Sequence, residues 1–205
     1  MNSTQPIEVV QPLAAEESAR ADLYALLARL FYAGPTPELL VDIVASGPLP
    51  GQGESPLAQA WRGLQAASAV IDAATARQEY EDLFIGVGRA PISIYASHYL
   101  SETWKESTLV NLRDELERLG LRRQPGAVEP EDHLAGLLDV MRHLILGAQG
   151  GDVALQEGFF RSYLAAWYSR FVAAIEAQPQ AAYYKSLGAL LSAFFDIEVE
   201  CFQIA

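Results

Sequence analysis

The sequence predicts an all-α protein: a single globular bundle of about eight or nine helices. Three observations carry that expectation. Apolar residues recur at i, i+3, i+4 and i+7 through most of the chain. No period-2 run rich in Val, Ile and Thr reaches strand length. Breakers and caps such as Gly34-Pro35, Ser55-Pro56 and Pro179 punctuate the periodic segments.

Composition sets the outer limits. The chain has 205 residues, 51% of them hydrophobic and 10% aromatic, enough for a substantial core and not the profile of a disordered chain. Residues 1–14, with Pro6 and Pro12 and no period, read as a flexible lead-in; residues 15–205 read as one helical domain with a candidate hinge at 121–128. No apolar run reaches the roughly 18–20 residues that span a bilayer. The first residues lack the basic-then-apolar order of a secretory leader. The expectation is a cytoplasmic protein without an integral membrane segment. A single cysteine, Cys201, excludes an internal disulfide framework and a cysteine-based zinc site. The net charge of −12, from 14 basic and 26 acidic residues, argues against a nucleic-acid partner. It suits a basic peptide partner, and it equally suits plain solubility.

The elements follow in order. A first helix runs from about Glu16 to Tyr32, with Leu23, Leu26, Leu27, Leu30 and Phe31 as its core stripe. Thr36-Pro37 opens a short helix to about Ser46, and Ser55-Pro56 opens the next after a loop at 47–55. Trp61, Leu64, Ser68 and Ile71 mark that helix's buried side. A further helix spans Ala74 to Phe84 and runs into Gln78–Leu100, a stretch that starts and ends helical but is broken by Gly86, Gly88 and Pro91. Leu109, Leu112, Leu116 and Leu119 repeat along the next helix. There Arg113–Glu117 and Asp114–Arg118 are expected i, i+4 pairs, and Gly120 the C-cap. After the loop at 122–128, Pro130 opens a helix carrying Leu134, Leu137, Leu138, Met141, Leu144 and Ile145 inward. Asp152 is a candidate cap for a long helix lined by Phe160, Tyr163, Leu164, Trp167, Phe171 and Ile175. Tyr183, Leu187, Leu190, Leu191, Phe194 and Phe195 line the last.

Most catalytic templates fail. There is no Gly-x-Ser-x-Gly elbow, no phosphate-cradling loop ending in Lys-Ser/Thr, no His-Glu-x-x-His and no pair of Glu-x-x-His motifs. His98–Glu102 and Asp139–His143 are two-ligand fragments of the kind common on solvated faces. The expectation is no catalytic residue, no metal site and no cofactor. In Glu129-Pro130-Glu131-Asp132-His133, the acids complement a helix N-terminus, which leaves His133 without an assignment. An Asp-His dyad would need a nucleophile that the sequence does not name. Ligand recognition at the edge of a groove is the sharper alternative.

Two segments together carry a resemblance. Tyr80-x-x-Leu83-Phe84-x-Gly86, followed after ten residues by Ser97-x-Tyr99, resembles the first signature of the TorD/DmsD family. Glu129-Pro130-x-Asp132-His133 resembles its second. The early helix Tyr24–Phe31 and the aromatics Trp167, Phe171 and Tyr184 are similar in layout, so the likeness spans roughly residues 18–198. Two positions depart from the pattern: Val87 stands where a proline often follows the glycine, and Ile94 where a proline often precedes the aromatic, with Pro91 three residues earlier. The loop Val87–Ile94 is where this chain leaves the family.

The resemblance implies a TorD-like helical fold and a cytoplasmic chaperone, not an enzyme. Such a protein binds the precursor of a molybdenum-cofactor oxidoreductase, often at its twin-arginine signal peptide, and holds it until the cofactor is inserted. The residues matching the binding signature are Tyr80, Leu83, Phe84, Tyr95, Ser97, Asp132 and His133. Leu83, Phe84 and Tyr95 are expected as apolar groove wall, with Asp132 and nearby Glu129 or Glu131 meeting arginines. His133 is expected to add pH sensitivity near neutrality. A competing expectation makes Leu83 and Phe84 pure core. Within the family the alternative is a NarJ-like assembly chaperone for a catalytic subunit that is not exported. Outside it, the alternatives are a small helical metal-binding protein or enzyme, or a generic helical interaction domain. Monomer and homodimer are both compatible with the sequence.

Overall fold

The helices begin where side-chain caps are available. The computed structural model describes residues 14–49, 53–86, 88–100, 105–124, 126, 128–147 and 151–204. The expected lead-in, apart from Ala14, lies outside them, as do Val87, residues 50–52 of the first loop and two positions of the candidate hinge. Helix α1 (Ala15–Tyr32) is followed by α2 (Pro37–Ala45) and α3 (Pro56–Val70). Thr36 Oγ1 accepts the Leu39 N–H at 3.2 Å and Ser55 Oγ the Ala58 N–H at 3.2 Å, as the Thr-Pro and Ser-Pro pairs predict. Asp72 caps α4 (Ala73–Tyr80), which continues as a π-helical turn over Glu81–Ile85.

Then come the short α5 (Ala96–Leu100), α6 (Lys105–Arg118) and α7 (Leu134–Ile145). Asp152 caps α8 (Val153–Phe160), which passes through a second π turn, Arg161–Ala165, into α9 (Tyr168–Glu176). The chain then forms α10 (Tyr183–Ile204). Counting α8 and α9 as one rod broken at Trp167 leaves nine helices among the described residues and no strand. No helix in them is long and apolar enough to cross a membrane.

Helix α1 packs on α7, and α10 packs on α3, α4 and α9, so α1, α7 and α10 enclose the core. The expected stripe of α1 is rotated. Tyr24, Ala21 and Ala28 share the buried face with Leu27, Leu30 and Phe31, whereas Leu23 and Leu26 are half-buried at its edge. The apolar faces expected of α7 and α10 are buried as written. Gly34, expected only as a stop, also permits a close approach: a Cβ there would stand 2.7 Å from the Arg77 Cα.

Three local expectations are corrected. The helix expected from Pro130 starts at Leu134, because residues 132–134 pair in extended form with residues 94–96 and His133 becomes the cap. The pairs expected within α6 are exchanged for Arg113–Glu131 and Arg118–Glu115, where tertiary geometry brings other carboxylates closer. Gly120 does cap α6, at φ +72°, with the Leu121 N–H returning to the Leu116 carbonyl at 2.7 Å.

Candidate functional site

The first signature segment begins with a change of helical pitch. At the end of α4 the Gly86 N–H reaches back five residues to the Glu81 carbonyl at 2.7 Å. Gly86 then turns at φ +63°, where a Cβ would lie 2.7 Å from the Arg89 carbonyl oxygen. Only glycine meets both conditions without strain. The chain folds back, and the Ile92 N–H donates to the Leu83 carbonyl at 3.1 Å. This return delivers Ile94–Ala96 to the approach of α7.

There the two signatures meet. Tyr95 and His133 form an antiparallel bridge, with Ala96 N–H donating to the Asp132 carbonyl at 2.9 Å and Leu134 N–H to the Ile94 carbonyl at 3.0 Å. The Asp132 carboxylate accepts the Ser97 N–H at 3.0 Å and so ties the start of α5 to the same seam. His133 Nδ1 accepts the Ala135 N–H at 3.2 Å, which requires that nitrogen to be unprotonated. The rings of Tyr95 and Tyr32 stand edge-on to the imidazole at 5.4 and 6.0 Å. Tyr95 Oη donates to Glu129 Oε2 at 2.5 Å, and Tyr80 Oη donates to the Tyr32 carbonyl at 2.7 Å.

The seven signature residues therefore divide. Leu83 is fully buried and is core, not groove wall. Phe84 is buried at the centre of an aromatic cluster with Phe31, Tyr80, Phe171 and Tyr184, at centroid distances of 5.2–6.3 Å. One side of it still lines an open cavity of about 500 Å³, together with Arg89, Pro91, Ile92, Tyr95 and His98. Asp132 is 1% exposed, and its carboxylate serves the Ser97 amide rather than solvent. Ser97 and His133 are buried in the same seam. Tyr95 is the signature side chain that is half-exposed, and Tyr32, 54% exposed, continues its aromatic surface. The pH sensitivity expected of His133 near neutrality is corrected: burial holds its pKa below the ordinary 6.5, against the opposing charges of Glu129 and Asp132.

The carboxylates that reach the surface here are Glu129 and Glu131. Glu131 is ion-paired with Arg113 at 3.0 Å, and that hydrogen bond holds its carboxyl below the usual range despite partial burial. Burial and the Glu129 hydrogen bond push the Tyr95 phenol well above its ordinary value, so it remains a donor. A second open cavity, about 560 Å³, adjoins Glu131 and is lined by Arg113, Leu116, Leu121, Arg122 and Arg123. Among the described residues no three His, Cys, Asp or Glu side chains gather as a metal ion would require.

Sequence reasoning missed Tyr32, whose aromatic neighbours lie about fifty residues or more away. It also missed Arg113, which had been assigned to Glu117. It missed Glu79, whose carboxylate accepts the N–H groups of Ala182, Tyr183 and Tyr184 at 2.8–3.1 Å and caps α10 from a distance of a hundred residues. No local pattern signals such a cap.

An all-α bundle with two distant segments joined in a seam of aromatic and acidic side chains defines a helical protein of the assembly-chaperone class. A family model described as nitrate reductase delta subunit matches residues 52–173, more than half of the chain and both signature segments. The chain belongs to that family, which consists of chaperones for molybdoenzyme assembly. No curated protein matches it.

Proposed function

We propose that this chaperone acts in the cytoplasm on the precursor of a molybdopterin-containing oxidoreductase. It binds that precursor at a twin-arginine signal peptide and holds it for cofactor insertion before export. The carrying observation is the Tyr32–Tyr95–Glu129 surface, where two aromatic rings and a carboxylate lie together at the edge of an open cavity. A signal peptide with a basic start and an apolar middle complements that surface, and the net charge of −12 favours its approach. Phe84 and Tyr95 supply apolar contact, and Glu129 and Glu131 receive the arginines. Leu83, Ser97, Asp132 and His133 act as positioning residues that hold the seam; Tyr80 does so through the Tyr32 carbonyl.

Binding of a synthetic twin-arginine signal peptide to the whole chain tests this. Glu129→Gln should weaken binding and flatten its salt dependence while leaving the unfolding midpoint nearly unchanged. Leu83→Ala should instead lower stability by roughly 2–5 kcal/mol. Unchanged affinity and salt response in Glu129→Gln would remove the contact assignment. The family's description favours a second reading, in which the client is a nitrate-reductase-like catalytic subunit bound elsewhere than at a leader. Co-purification of a client with and without its first few dozen residues separates the two.

A further inference from the structure

The Arg113–Glu131 pair crosses between elements that the signatures do not connect. Arg113 lies on α6, and Glu131 on the approach to α7, eighteen residues later. The carboxylate is mostly covered, at 13% exposure, whereas the arginine is 54% exposed. The same approach is touched by Arg123, whose Nη1 donates to the Glu129 carbonyl at 3.3 Å. In the unliganded protein a guanidinium of its own thus occupies one of the two carboxylates at the proposed site. The other, Glu129, is engaged by the neutral Tyr95 hydroxyl.

We infer that Arg113 is a specificity-determining residue, one that sets a threshold at Glu131 which an incoming arginine overcomes and an incoming lysine does not. This inference rests on the twin-arginine reading of the site. A ligand reaching Glu131 must displace Arg113. An arginine replaces one planar guanidinium with another and restores the hydrogen bonds of the carboxylate. An ammonium restores charge but not the fork of donors, and it carries a stronger hydration shell into a partly covered position. Arg113 itself is released to solvent at little cost, because its side chain is already exposed and the pair is near the surface. The cavity beside it, floored by Leu116 and Leu121, leaves room for the displaced side chain.

The test uses the full chain and two synthetic peptides that differ only in carrying Arg-Arg or Lys-Lys before the same apolar stretch. Wild type should bind the arginine peptide and discriminate against the lysine one. Arg113→Met, which keeps the aliphatic stem, should strengthen lysine-peptide binding more than arginine-peptide binding, narrowing the ratio about two- to five-fold. Glu131→Gln should weaken both peptides and also narrow the ratio. Circular dichroism and unfolding midpoints check that both exposed-site variants remain folded. An arginine-to-lysine ratio unchanged in Arg113→Met overturns the inference while leaving the twin-arginine reading intact. Failure of wild type to bind the arginine peptide overturns both.

Discussion

Asp132 and His133 look like surface recognition groups in the sequence and are buried in the fold. Each completes a backbone hydrogen bond: Asp132 to the Ser97 amide, His133 to the Ala135 amide. A neutral imidazole is needed for the second, and burial supplies it by lowering the pKa from 6.5. The unfolded chain then binds a proton that the folded one refuses, so stability rises with pH up to about 6.5 and is lost as pH falls below it. His133→Asn keeps a cap without a titrating group. In urea unfolding at several pH values, wild type should gain on the variant as pH rises from about 5 to 7. A difference that stays constant with pH would contradict the linkage.

At the scale of the element, α10 depends on a residue outside itself. Its first N–H groups have no intrahelical acceptors, and Glu79 supplies both carboxylate oxygens to three of them. The negative charge also opposes the positive helix end. Glu79→Ala should lower stability by on the order of 3 kcal/mol, since it leaves several covered donors unsatisfied at once. Hydrogen exchange should show the loss concentrated at Ala182–Tyr184; uniform loss across the helix would point to general loosening instead. Because Glu79 directly precedes Tyr80 and the π turn, the same residue positions the first signature segment against the aromatic core. Elsewhere the short-range chemistry of the elements was legible. Thr36, Ser55, Asp72 and Asp152 cap where they stand, because a cap is settled within three residues.

Across the whole molecule, α1, α8 and α10 are joined by one buried polar cluster. Arg20 grips Glu198 with two hydrogen bonds of 2.6 and 2.7 Å, Tyr24 Oη donates to the same carboxylate at 2.7 Å, and Arg20 also reaches Gln156 at 2.7 Å. Glu198 is 2% exposed, so removing Arg20 strands a charge inside. Arg20→Ala should cost about 3–5 kcal/mol, whereas Arg20→Met with Glu198→Leu should recover much of that loss. Chemical denaturation of the two variants decides it; a double variant as unstable as the single would show that the pair contributes net stability.

By itself the sequence determined the helical class, the apolar faces of α7 and α10, most caps and the identity of the two signature segments. Each of these is written in spacings of a few residues, where backbone geometry leaves one solution. The tertiary structure alone decided which signature residues face outward. Leu83 and Asp132 are turned inward and Tyr32 and Tyr95 outward by the π turn, the Gly86 reversal and the Tyr95–His133 bridge. It also assigned Glu79 to α10, Arg20 to Glu198 and Arg113 to Glu131. Those partners are 18 to 178 residues apart, and no local periodicity records a contact made only when separate helices pack.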